Sequence, residues 1–149
     1  VIVRKATHDD VPAILAMGAA FFAASGYGAL TSFDPDHASV VVGMMIGTGT
    51  QLVAEHEGAL VGMAGAVVAP HTFNFRALMA HEVMLWAMPE ARGLGVGRAL
   101  FKALDAACEE AGAVGLQMLM LENSPPHVAD LYEAEGFRPS ESAWTKRYT

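Results

Sequence analysis

Only one cysteine, Cys108, occurs in the chain, so no disulfide can staple it to itself, and a lone thiol fits a reducing compartment such as the cytoplasm. Cys108 falls in an apolar helical stripe, where a thiol serves as a small core side chain rather than a reactive group. Cations are scarce too. Nine Lys and Arg against sixteen Asp and Glu leave a formal net charge of −7, which excludes the basic surface on which general nucleic-acid binding rests. That acidity favours a cationic partner such as an amine, and equally serves to keep a small apolar protein in solution. Long hydrophobic runs are missing: Ala59 to Ala69 is about half a membrane span and is broken by Gly62 and Gly65. No positively charged segment followed by a hydrophobic one opens the chain, so neither a membrane partner nor a signal peptide is expected. The histidines, at positions 8, 37, 56, 71, 81 and 127, are dispersed without ligand spacing, and no metal is expected.

Apolar residues are plentiful. At 53% AVILMFWYC and 17% charged, the 149 residues read as one compact domain spanning 1–149, without repeats or linkers. "VIVRKA" reads as a first strand. A helix follows from Thr7 and Asp10, in capping-box spacing, to a stop at Gly26. Asp36 is expected to cap a second helix through "HASVVVGMMIG". "QLVAEHE" and "LVGMAGAVVA" flank Gly58 as a hairpin, and "LMAHEVMLWAM" is a central strand, apolar on both faces from Val83 to Met88. In that strand Met84, Trp86 and Met88 are expected on the face of Glu82, walling either a substrate pocket or ordinary core. Leu100, Phe101, Leu104, Ala107 and Cys108 form a helical stripe ended by Gly112, and "VGLQMLML" is a fifth strand. A last helix runs from a Ser124 cap to Gly136, and the alternating tail "ESAWTKRYT" is expected to close the sheet as a strand. The order β-α-α-β-β-β-α-β-α-β predicts a mixed α/β layer fold.

The segment "PEARGLGVGRAL", residues 89–100, lies between a strand and a helix. A Walker loop would need G-x-x-x-x-G-K-[ST], and a dinucleotide fingerprint would need a third glycine where Arg98 stands; both fail. Arg92-Gly93-Leu94-Gly95-Val96-Gly97 instead fits [QR]-x-x-G-x-[GA], a loop whose backbone N–H groups can converge on an anion at a helix N-terminus. The helix opens with Arg98 and Lys102 and has no acid before Asp105, the reverse of what a free-standing helix prefers, as though an external anion supplied the missing charge.

With its flanks the loop, "LWAMPEARGLGVGRALFKAL", resembles the acetyl-CoA motif of the GNAT superfamily of N-acetyltransferases, and "ADLYEAEGF" is similar to that family's second signature. The resemblance implies a single domain with a twisted, mostly antiparallel sheet splayed between its fourth and fifth strands, and helices on both faces. It implies acetyl-CoA as co-substrate, held by backbone groups at Leu85 and Ala87, by Trp86 between them, by Arg92, by the amides of Gly93, Leu94, Gly95, Val96, Gly97 and Arg98, and by Asn123. Asn123 would stand in for the asparagine that many members carry where this chain has Pro125. Arg98 or Lys102 would screen the phosphates.

Tyr132 matches the family tyrosine that protonates the leaving thiolate; it also shares a helical face with Val128 and Leu131, as a core aromatic would. Glu82 matches a position where some members place the base, and apolar neighbours should raise its pKa; it could equally be the solvated start of the strand. Glu122 is the reserve base. The implied activity is acetyl transfer to a primary amine of a small molecule or peptide, by direct attack in a ternary complex. "SGYGALTSFD" and "RPSESAWTK" would shape the acceptor pocket through Tyr27, Phe33, Asp34 and Trp144. Homodimers are common in the family. A non-catalytic acyl-CoA-binding regulatory domain is the competing reading, and a nucleotide-binding module a third.

Overall fold

The computed structural model describes residues 1–149. In chain order it contains β1 (Ile2–Lys5), α1 (Val11–Ser25), α2 (Pro35–Thr48), β2 (Gln51–His56), β3 (Ala59–His71), β4 (Asn74–Ala87), α3 (Val96–Glu110), β5 (Gly115–Gln117) and α4 (His127–Ala134). The strands form one sheet in the order β1-β2-β3-β4-β5, antiparallel except for the parallel pair β4 and β5. This is the mixed α/β arrangement expected, with one layer of helices on each face.

Local chemistry explains most boundaries. Asp10 accepts from the Thr7 N–H at 2.8 Å and takes both terminal nitrogens of Arg4, at 2.8 and 2.9 Å, which fastens β1 to the turn entering α1. Those donors hold its carboxyl down at about 2. The cap of α2 is Asp34 rather than Asp36: its Oδ1 accepts from the N–H groups of Asp36 and His37 at 3.0 and 3.2 Å. Pro35 tolerates the first helical turn, so the helix starts earlier than a reading based on Asp36 allows. Helix α4 begins at His127, with Pro126 in helical backbone as its N-cap, rather than at a Ser124 cap, because a residue that precedes a proline, as Ser124 and Pro125 both do, is pushed away from helical backbone.

Two clusters sandwich the sheet. Ile14 and Met17 of α1 and Val42 and Met45 of α2 are buried with Val53 and Met63 on one face. On the other face Val96, Leu100, Leu104 and Cys108 of α3 pack on Leu52, Ala64, Ala66 and Ala80. Burial and the charge of Asp105 push the Cys108 thiol up to about 11, which fits a core side chain. Helix α4 lies on the α3 side, where Tyr132 and Phe137 stack around Phe101 with centroids 5.3 and 5.2 Å away. Gly62 lets α3 start this close to the sheet: a Cβ there would sit 2.7 Å from Val96 Cγ1 and 2.9 Å from the Trp86 carbonyl.

The sheet departs from expectation at both ends of its open side. Strand β5 stops at Gln117 instead of running to Leu121, and residues 138–149 form no strand. The tail has only two large apolar side chains, Trp144 and Tyr148, both almost fully exposed, so docking it as a strand would bury too little to offset its ordering cost. In the other direction the β3–β4 hairpin extends further than the apolar pattern, and its tip carries the exposed Phe73 and Phe75.

Candidate active site

Parallel pairing of β4 with β5 covers only Met79 to His81, against Gly115 to Gln117. Beyond His81 the strands part, and side chains take over from the ladder. Glu82 Oε2 accepts from the Leu119 N–H at 3.1 Å, and the Tyr132 hydroxyl donates to the Leu119 carbonyl at 2.9 Å. These bonds are why β5 ends early: both backbone groups of Leu119 are satisfied by side chains that reach into the opening. His81 points elsewhere, its Nδ1 2.9 Å from Gln117 Oε1.

A bulge controls which way β4 presents its residues. Ala66 pairs with Glu82 but Gly65 pairs with Met84, so Val83 is the extra residue. Glu82 therefore shares the α3 face with Ala66 and Ala80, whereas Val83, Met84, Trp86 and Met88 all pack with the α1–α2 cluster. Placing Met84, Trp86 and Met88 on the Glu82 face, as strict alternation requires, is corrected by that single inserted residue.

Glu82 is no solvated strand start, being only 5% exposed. Burial pushes its carboxyl up to about 7, against the downward pull of the Leu119 N–H. Its other oxygen, Oε1, has no donor in the chain and is not sealed from solvent. The charge of Glu82 reaches both faces of the sheet: together with burial, it raises the pKa of Tyr132 on the α3–α4 side and of Tyr27 on the α1–α2 side. Tyr132 therefore stays protonated at neutral pH, a donor held at the opening. Glu122 lies exposed in the turn after β5.

Along the far part of β4, the Met88 N–H donates to the Val61 carbonyl at 2.8 Å. By alternation the backbone groups of Trp86 also face β3, and those of Leu85 and Ala87 face the side where β5 has already ended. Trp86 thus differs from its two neighbours. Its indole lies on the α1 side, edge-on to Phe21 at 6.0 Å, with the Arg92 guanidinium 4.9 Å above the ring. The Ala87 carbonyl receives only a long 3.4 Å contact from Arg92 Nε.

The glycine loop turns with Gly93 at φ 90° and Gly95 at φ 76°, backbone that other residues enter only at a cost. Within residues 93–98, the amide of Leu94 donates to the Ala91 carbonyl; those of Gly93, Gly95, Val96, Gly97 and Arg98 have no acceptor in the protein. Cβ atoms built at Gly93, Gly95 and Gly97 would meet nothing, so the space before α3 is open. The cations of this helix are less solitary than its sequence implies. Glu135, at the end of α4, places Oε1 3.2 Å from Lys102 Nζ and 3.7 Å from Arg98 Nη2. An acid beside Gly136 in the second signature was the one clue to that pairing, which needs the α3–α4 packing to exist. Asn123 uses its Nδ2 to tie the loop after β5 to the Ala24 carbonyl, at 2.9 Å.

Between α1, α2 and the bulge lies a cavity of about 170 Å³, lined almost wholly by apolar groups including Tyr27 and Phe33. Of the other residues expected there, Asp34 spends its carboxylate on the α2 cap, and Trp144 is 96% exposed in the tail.

Residues 47–139 match the family model of the acetyltransferase (GNAT) domain. The chain belongs to the GNAT acetyltransferases. Solved structures agree in fold. A ribosomal-protein-alanine N-acetyltransferase from Brucella melitensis aligns at 27% identity and TM-score 0.73, over 93% of this chain and 85% of that one. A "predicted acetyltransferase with acetyl-CoA" from Clostridium acetobutylicum aligns at 14% identity and TM-score 0.74, covering 98% and 95%. A transcriptional regulator from Bacillus halodurans aligns at 19% identity and TM-score 0.73, covering 99% of each chain. Among curated proteins none matches the sequence significantly. No helix of this GNAT domain is long and apolar enough to cross a membrane.

Proposed function

We propose that this GNAT domain transfers the acetyl group of acetyl-CoA to a primary amine by direct attack within a ternary complex. The observation that carries the reading is the row of amides on Gly93, Gly95, Val96, Gly97 and Arg98, left without protein acceptors at the N-terminus of a 15-residue helix. Such a row fits a pyrophosphate, and the backbone groups of Leu85 and Ala87 fit the amides of a pantetheine arm. Arg92 and Leu94 belong to the same loop, Trp86 meets it only through the Arg92 guanidinium over its ring, and Asn123 keeps its Oδ1 free for the coenzyme. When bound, acetyl-CoA supplies the thioester carbonyl that the amine attacks.

The chain's own groups then move two protons. Glu82 Oε1 takes a proton from the acceptor ammonium, directly or through water, so that a neutral nitrogen lone pair is free to form the new C–N bond. Tyr132 gives its hydroxyl proton to sulfur as the C–S bond breaks, being the protonated hydroxyl that its bond to Leu119 holds at the opening. The nitrogen, cationic again once bonded to carbon, gives its second proton to the Tyr132 phenolate directly or through water; acetylated amine and free thiol leave, and Glu82 releases its proton to solvent.

Mixing the protein with acetyl-CoA and a panel of amines, and following free thiol, tests the reading. Coenzyme binding without turnover on any amine would favour a regulatory acyl-CoA-binding domain instead. Tyr132→Phe is expected to lower kcat by about 10²-fold or more while changing the CoA Kd little. Equal turnover would remove the acid role from Tyr132. Glu135→Gln is expected to tighten CoA binding by roughly 2- to 5-fold at low salt, because Lys102 and Arg98 lose a competing anion, and the gain should fade in high salt. Calorimetric titration at two ionic strengths checks it; weaker binding would show that Glu135 orders the cations rather than competing for them.

A further inference from the structure

We infer that the preferred acceptor is a primary amine carrying one uncharged apolar group of phenyl or branched-alkyl size, received by the cavity between α1, α2 and the β4 bulge. The inference rests on the acetyltransferase reading and narrows its acceptor. The cavity holds about 170 Å³ between Ile14, Gly18, Phe22, Tyr27, Phe33 and Val83, among others, and no charged residue lines it. A void of about 150 Å³ with walls of this kind accommodates benzene. A polyamine or aminoglycoside would carry further charges into a wall that offers them no partner, which is strongly unfavourable.

The cavity is also aimed. Its wall residue Val83 directly follows Glu82 and is turned to this face by the bulge. Tyr27, another wall residue, feels the charge of Glu82. An amine with its apolar end between Phe22 and Phe33 would leave its nitrogen on the side of Tyr27, the wall residue that the charge of Glu82 reaches across the sheet. Gly18 sets the depth. It lies in the middle of α1 with helical backbone, and an added Cβ would rest at an ordinary 3.7 Å from the Phe33 ring. Any longer side chain at 18 projects into the space that the acceptor would use.

The experiment compares 2-phenylethylamine and isoamylamine with spermidine, kanamycin and ethanolamine at saturating acetyl-CoA, and titrates 2-phenylethylamine onto the CoA-bound protein by calorimetry. The apolar amines should exceed spermidine in kcat/KM by about 10- to 200-fold, the range one apolar group commands in such a pocket. Gly18→Leu should raise KM and Kd for 2-phenylethylamine about 10-fold or more, with the KM for acetyl-CoA unchanged and the Tm not lowered. Should leucine disturb α1, Gly18→Ala gives a smaller shift in the same direction. Faster turnover of spermidine or kanamycin, or equal KM values for wild type and both variants, overturns the inference and leaves the acetyltransferase reading standing. Tight, Gly18-dependent binding of 2-phenylethylamine without acetyl transfer keeps the cavity assignment and overturns the catalytic reading. Failure to bind CoA or any of the amines overturns both.

Discussion

Glu82→Gln should produce an enzyme that is slower and more stable at once, with both effects growing as the pH rises. The wild-type carboxyl sits at about 7 because burial opposes its charge. Its ordinary value is 4.5, so between pH 4.5 and 7 the folded state holds a proton that the unfolded chain has released, and stability falls across that window. The loss is on the order of 3 kcal/mol, complete above pH 7 and absent below 4.5. Glutamine stays neutral throughout, and its amide oxygen can still accept from the Leu119 N–H. Thermal melts should therefore show the variant roughly 6 to 10 °C above wild type at pH 8.5, with little difference at pH 4.5. Turnover should fall by about 10²- to 10⁴-fold at pH 8, and the rising limb of the wild-type pH–rate profile near 7 should vanish. A variant that melts lower at pH 8.5 would refute the desolvation of Glu82. Unchanged kcat would move the base elsewhere.

Gly95→Asp should cost CoA affinity far more than it costs the fold. The left-handed backbone at 95 charges an aspartate roughly 1 to 2 kcal/mol, and nothing in the protein stands where its Cβ would go. A melting temperature lower by about 2 to 8 °C follows. In the loop, however, the carboxylate would occupy the space in front of the amides of Val96, Gly97 and Arg98 and satisfy them itself, with a charge of the wrong sign for a pyrophosphate. Calorimetry should find CoA binding weakened by at least about 100-fold, the order expected when a charged acceptor displaces charge-assisted bonds. Gly95→Asn carries the same backbone cost without the charge and should fall between the two. Undiminished affinity for Gly95→Asp would mean that the coenzyme lies elsewhere.

The sequence by itself determined the parts whose physics is local. Apolar spacing located four helices and all five strands, and Gly93, Gly95 and Gly97 ahead of a helix stripe marked the open turn whose amides are left without protein acceptors. The two signatures, "PEARGLGVG" and "ADLYEAEGF", carried the family. Tertiary structure alone decided the rest, because each remaining feature depends on two distant segments meeting. One inserted residue at Val83 turned Met84, Trp86 and Met88 away from the face of Glu82, and a bulge leaves no mark on an apolar run. Whether the Glu82 carboxyl was solvated or buried depended on the packing around β4, and the ionic partner of Lys102 and Arg98 was an acid more than thirty residues downstream. Strand β5 and the tail ended where they did for the same reason: hydrogen bonds and burial come from partners in space, which alternation along a chain cannot supply.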